Sequence, residues 1–208
     1  MSQVEPLDAP AIEAACAGLL IGHRVLVFKE VTSTNDIVAQ MAAAQAEGLV
    51  VFAERQTAGR GQYGRRWESA AGQGLWMSVL LRPKLKVGES AQMTTLLART
   101  IQVVIAQELD LVATIEPPND VYLDVRKVAG VLVEMRVETG GDYCAIAGMG
   151  INVNQAPEDF PHELQATAVS LATVAGRSID RSRFAIALLR ELETRYRAMR
   201  TPGTPAAS

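Results

Sequence analysis

Histidine and cysteine are scarce in this 208-residue chain, which has two of each: His23, His162, Cys16 and Cys144. The cysteines lie far apart and form no CxxC or zinc-knuckle spacing, which argues against a disulfide framework and a structural zinc site and leaves two reduced, buried thiols as the expectation. Neither histidine sits in an HExxH or beside a second ligand, so imidazole-based metal chemistry has no foothold. Long apolar runs are also missing, and with them any membrane span. The residues ahead of the short apolar run near Leu20 carry Glu5, Asp8 and Glu13 instead of the basic start of a signal peptide, so a cytoplasmic location is expected. Positive charge is not in excess either. With 20 Lys+Arg against 23 Asp+Glu the net charge is −3, so the molecule as a whole does not attract nucleic acid and any anion site must be local.

What is present reads as an ordinary globular chain, 49% hydrophobic and 21% charged. Ala11 to Leu20 suggests a short N-terminal helix, or a loosely held arm, within an extension covering residues 1–22. His23 to Val31 and Leu49 to Gln56 read as strands, separated by a Ser/Thr-capped helix over Ile37 to Glu47 that Gly48 stops. Leu75 to Pro83 is a buried strand. Glu89 to Glu108, with Met93, Leu96, Leu97, Ile101, Val104 and Ile105 at helical spacing, is the clearest helix. Four further strand segments follow, at 112–115, 121–123, 128–137 and 143–153. Asp180 then caps an amphipathic helix over 181–200, and 201–208 reads as a frayed tail. Strands dominating after a long helix suggest an α+β fold, a mixed sheet backed by helices, in one main domain over 23–200.

Two regions carry the chemistry. Between the second and third strands runs a long Gly/Arg loop with Arg55, Arg60, Arg65 and Arg66 and with Gly59, Gly61 and Gly64. It is a local positive field whose glycines let backbone N–H groups and guanidinium forks close over an anion. Gly59 to Gly64 matches GxxxxG, but Arg65 and Arg66 stand where a phosphate-binding loop needs Lys and Ser or Thr, so this is not a P-loop. The second region opens with the Pro117-Pro118-Asn119-Asp120 turn and continues to Lys127 at the entry to a buried strand. Gly130, Gly148 and Gly150 interrupt strands. Ringed by Asn, Gln, Arg and Lys, they suggest a sheet kept low at one end for a small polar-headed ligand.

Ser33-Thr34-Asn35, the stretch Gln56-Thr-Ala-Gly-Arg-Gly-Gln-Tyr-Gly-Arg-Arg-Trp67, the segment from Pro118-Asn-Asp120 through Arg126-Lys-Val-Ala-Gly-Val-Leu-Val-Glu134, and Gly148-Met-Gly-Ile-Asn152 resemble, in order and spacing, the motifs of the biotin–protein ligases (biotin–[acetyl-CoA-carboxylase] ligases). The resemblance covers Val25 to Tyr196. It implies a fold similar to the catalytic core of class II aminoacyl-tRNA synthetases and an ATP- and magnesium-dependent activation of biotin as biotinyl-5′-AMP. The biotinyl group would then pass to a lysine of a carboxylase biotin carrier domain. Ser33, Thr34, Asn35 and Gln56, with backbone at Gly59 to Gly61 and Gly130 to Leu132, would hold the ureido ring, and Trp67 would wall the site. Arg60, Arg65 and Lys127 would be the catalytic cations, meeting the biotin carboxylate and the ATP phosphates. Asn119, Asp120 and Asn152 would lie near the nucleotide or its magnesium; no metal ligand is assigned.

Some positions depart from the family pattern. Glu116 and Pro117 stand where the family has lysine and tryptophan; a Glu116 aimed into the cleft would oppose ATP, one aimed outward would not. Gln62 and Tyr63 replace arginines in the loop that covers the adenylate, which would let the intermediate leak, as trapping adenylate in the absence of carrier would reveal. The segments outside 25–196 are too short for the helix-turn-helix domain and the C-terminal barrel of many members, so a catalytic domain alone, with a possible homodimer partner, is expected. A ligase for lipoate or octanoate, and a catalytically weak biotin-binding or sensing protein, are the alternative readings.

Overall fold

A computed structural model describes residues 5–85 and 87–200; the tail expected over 201–208 and the first four residues of the N-terminal extension lie outside the described residues. Seven strands form one mixed sheet: β1 (Arg24–Phe28), β2 (Leu49–Ala53), β3 (Gly74–Leu81), β4 (Ala113–Glu116), β5 (Asp120–Leu123), β6 (Arg126–Val137) and β7 (Tyr143–Asn152). Their spatial order is β1-β2-β3-β7-β6-β5-β4, parallel between β1 and β2 and antiparallel elsewhere. Helices α1 (Ala9–Ala15), α2 (Thr34–Met41), α3 (Ser90–Leu109), α4 (Leu171–Ala175) and α5 (Arg181–Arg200) complete the chain. The α+β expectation holds. Among the described residues no helix is long and apolar enough to cross a membrane.

Alternation along the strands sorts side chains between the two faces of the sheet. On one face Phe52, Leu75, Met77, Val79, Ala147, Met149 and Ile151 join the main core. There α3 contributes Met93, Leu97, Ile101, Val104 and Ile105, and α5 contributes Phe184, Leu188, Leu192 and Tyr196, spaced by three or four as one apolar stripe demands. Asp180 caps α5 as expected, its Oδ1 accepting the Arg183 N–H at 2.9 Å. On the opposite face a smaller core gathers Val38 of α2 and Ala42 above Leu49, Val51, Leu80, Cys144 and Ile146. The rest of that face is left open by α2, and the cleft described below occupies it.

The structure corrects several boundaries. α1 runs from Ala9 to Ala15 rather than from Ala11 to Leu20; Asp8 Oδ1 accepts the Ala11 N–H at 3.0 Å and Pro10 sits in the first turn, where a missing N–H costs nothing. The segment is packed rather than loose. Ile12, Cys16 and Ile21 are fully buried, and carboxylates of Glu13, Glu54 and Glu193 accept the N–H groups of Val25, Leu7 and Ile21 at 2.8, 2.7 and 2.9 Å. α2 begins at Thr34, three residues before the predicted Ile37, and gives way after Met41 to a 3-10 turn, Ala42–Ala44. Its first N–H, on Thr34, is satisfied by Gln56 Oε1 at 2.7 Å, while the predicted cap, Ser33, makes no side-chain capping bond. β1 and β2 are shorter than predicted, and a lone parallel bridge, Val31 to Gln56, continues their pairing into the site.

Candidate active site

Strand parity alone would send Lys127 to the wrong side. Gly130, Leu132 and Glu134 share one face of β6, so strict alternation would put Lys127 on the other. The β5–β6 register shifts between Val121 and Tyr122: Val121 pairs with Ala129, and Tyr122 with Lys127. This bulge lets Val128 and Ala129 both enter the main core and turns Lys127 onto the open face. There its Nζ lies 2.7 Å from Asp120 Oδ2 and 5.3 Å from the centroid of the Trp67 ring. Asp120 Oδ1 is buried with no hydrogen-bond partner.

The first turn of α2 supplies the other end of the site. Thr34 N–H and Oγ1 lie 2.7 and 3.2 Å from Gln56 Oε1. The fully buried Ser78 hydroxyl on β3 lies 2.7 Å from Thr34 Oγ1 and 2.5 Å from Asn35 Oδ1. Asn35 in turn donates to Glu134 Oε2 at 2.6 Å. Arg60 reaches in from the Gly/Arg loop and meets both carboxylates of this end: Asp36 Oδ1 at 2.8 Å and Glu134 Oε2 at 3.3 Å.

The Arg60 hydrogen bond holds the Asp36 carboxyl below the usual carboxylate range, against an opposing push from partial burial. Because the folded value is the depressed one, the pair's contribution to stability is complete above the ordinary carboxyl range and is lost as pH falls through the folded value. Side-chain carbon NMR should therefore show Asp36 titrating below the usual carboxylate range, and Arg60→Ala should move it upward.

The glycines of β6 and β7 line the cleft, as the sequence suggested, and the low floor they make also seats two of the protein's own side chains. A Cβ on Gly150 would fall 2.5 Å from Trp67 Cε2, one on Gly130 2.8 Å from Trp67 Cζ3, and one on Gly148 2.4 Å from Asn35 Oδ1. The Trp67 indole lies in this trough, edge-on to Trp76 at a centroid separation of 6.3 Å. Gly150→Ala is expected to push Trp67 off the sheet, seen as a changed tryptophan emission maximum, and to weaken small-molecule binding about tenfold or more for an ångström-scale displacement.

Around this floor lies a cleft of about 310 Å³. Ser33, Thr34, Asn35 and Gln56 line one end; Arg60, Gly61, Arg65 and Trp67 cover it; Asn119, Asp120, Lys127, Gly130, Leu132 and Asn152 line the remainder. Gly59 alone of the predicted site residues is not among the lining. Its carbonyl accepts the Trp67 N–H at 2.9 Å, while the Gly61 and Val131 N–H groups donate to Arg65 O and Asn119 O at 2.7 and 3.0 Å. Glu116 is exposed, and burial together with the Glu116 carboxylate pushes the Tyr122 phenol up. Glu116 thus stands outside the cleft lining. Gln62 and Tyr63 form the loop tip, Tyr63 with a φ of 58°.

Sequence reasoning missed one wall entirely. Phe160, Leu164, Thr167 and Ala168 line the cleft from a segment of two short 3-10 turns, which Lys127 ties down by donating its N–H to Thr167 O at 2.8 Å and accepting the Val169 N–H at 3.0 Å. Ser78, Asp36 and Glu134 were also overlooked. A serine amid the apolar run of β3 was the available signal.

Comparison with known proteins agrees with this architecture. Residues 27–152 match the sequence model of the Biotin/lipoate A/B protein ligase family. The chain is 38% identical over 185 residues to the bifunctional ligase/repressor BirA of Bacillus subtilis, covering 88% of this chain and 57% of that protein. It is 34% identical over 200 residues to the biotin–[acetyl-CoA-carboxylase] ligase of Mycobacterium tuberculosis, covering 91% and 71%. The chain thus spans little more than half the length of the Bacillus relative. In three dimensions it is similar to the biotin protein ligase of Aquifex aeolicus in complex with biotin and ATP, with a TM-score of 0.75, 30% identity, and coverage of 85% and 72%. On sequence and fold alike, the chain belongs to the biotin/lipoate A/B protein ligase family.

Proposed function

We propose that the protein is an ATP-dependent biotin–protein ligase, joining biotin to AMP with release of pyrophosphate and then transferring the biotinyl group to a lysine of a carboxylase biotin carrier domain. The observation that carries this reading is the polarity of one cleft: neutral hydrogen-bonding groups (Thr34, Gln56, Asn35) at the α2 end, where Arg60 is held by Asp36 and Glu134, and Arg65 and Lys127 over the rest. A ureido ring with a carboxylate tail has that polarity. The names of the relatives reported above favour biotin over lipoate.

In this mechanism the biotin carboxylate attacks the α-phosphorus of ATP and pyrophosphate departs. Two anions must meet, so Lys127 and the loop arginines offset their repulsion and stabilise charge growing on the transferring phosphorus. Closure of the Gly/Arg loop keeps water from the mixed anhydride. The carrier lysine then attacks the acyl carbon and AMP leaves. Magnesium would arrive on the phosphates. Asp120, with one buried and unpartnered carboxylate oxygen, suits a cation that takes one or two protein carboxylates and fills its remaining positions with phosphate and water.

The test is pyrophosphate release from MgATP by the purified chain, with biotin and lipoate in parallel. Release with biotin alone supports the proposal. Silence from folded protein that still binds biotin overturns it in favour of a sensor.

A further inference from the structure

We infer that Ser78 and Glu134 are positioning residues that fix the hydrogen-bonding direction of the biotin-contacting groups; the inference rests on the function proposed above. Ser78 is fully buried, and neither residue is part of the cleft lining, so each acts through a neighbour. Glu134, ionised, can only accept, so the Asn35 side chain must turn its NH₂ toward it and its Oδ1 toward Ser78. Ser78 has one proton, and the 2.5 Å contact with Asn35 Oδ1 claims it. Its oxygen is then an acceptor facing Thr34 at 2.7 Å.

Thr34 must then donate its one proton to Ser78 Oγ, at 2.7 Å the nearer acceptor against 3.2 Å for Gln56 Oε1, which leaves its lone pairs for a ligand N–H. The Thr34 backbone N–H occupies Gln56 Oε1, which turns the Gln56 NH₂ away from the helix. A single carboxylate on β6 thereby sets the polarity of three side chains in series. A cyclic urea, with two N–H donors flanking one acceptor, is a ligand that such a fixed arrangement selects.

Glu134→Gln removes the charge that forces the direction while keeping the shape, and Arg60 retains its closer partner, Asp36. Ser78→Ala breaks the chain in the middle. The experiment measures biotin and ATP affinity separately by calorimetry, and KM against kcat in pyrophosphate release, for the wild type and both variants, with thermal melts to establish folding. The expected result is a rise of about tenfold in Kd and KM for biotin, the effect of one lost directed hydrogen bond, with ATP affinity and kcat within about twofold. Unchanged biotin affinity in folded Glu134→Gln overturns the inference, as does an equal loss for biotin and ATP. If Ser78→Ala does not fold, Glu134→Gln alone decides. A wild type that binds no biotin overturns the function itself, whereas a biotin-binding wild type with indifferent variants overturns only the positioning role.

Discussion

Lys127→Ala should lower biotin-dependent pyrophosphate release by about a hundredfold to a thousandfold, the usual cost of removing one preorganised charge that meets a developing anion. The size of the effect follows from where the bulge puts the ammonium: beside the Asp120 carboxylate at 2.7 Å and over the Trp67 ring, on the same floor as Gly130. A lysine on a regular strand would have pointed into the main core. Because the side chain is partly exposed, the variant should fold, and a thermal melt within a few degrees of wild type would confirm it. Retained turnover would show that Lys127 only neutralises Asp120. Arginine is not an equivalent replacement here, since its planar fork is built for bidentate contacts and Asp120 offers one oxygen to a point charge.

Gly48→Ala should be the most damaging added methyl among the glycines of the described residues, destabilising the protein by about 4 kcal/mol. Gly48 has a φ of +96°, and a Cβ there would sit 1.8 Å from the carbonyl oxygen of Leu20, which cannot swing aside as a side chain could. The same residue donates to Leu80 O at 2.8 Å and accepts from Gly22 at 2.9 Å, joining the N-terminal segment to β2 and β3. Gly18→Ala is the comparison: its φ is +81° with nothing within 4 Å, so only the backbone strain of about 1 kcal/mol should appear. Urea unfolding of the two variants would separate clash from strain, and near-equal midpoints would show that Leu20 yields.

Most strands and the two long helices were legible because their patterns are long and regular, as in α3 with its stripe from Met93 to Ile105. Legibility failed where a partner distant in sequence makes the decision. Gln56 starts α2 from another element, so Thr34 becomes helical before any local signal asks for it. Gly130 and Gly150 line the cleft as their place in the strands suggests, but nothing near them in sequence announces the Trp67 ring they also seat. The family motifs brought the cleft residues together by name, but Ser78, Asp36 and Glu134 are visible only as contacts. The wall from Phe160 to Ala168 lacks strand or helix periodicity, and its place depends on backbone bonds to Lys127.

The two faces of the sheet rest on cores of unequal size, and the turn of α2 that lines the cleft is seated on the smaller one. Damage to that lesser foundation, at Leu80 or Ile146 for example, would loosen Ser33 to Asp36 while the large core keeps the chain folded. Errors beneath α2 would then surface in a cell as abundant protein that grips its ligand poorly, and errors beneath α3 and α5 as protein that is simply missing.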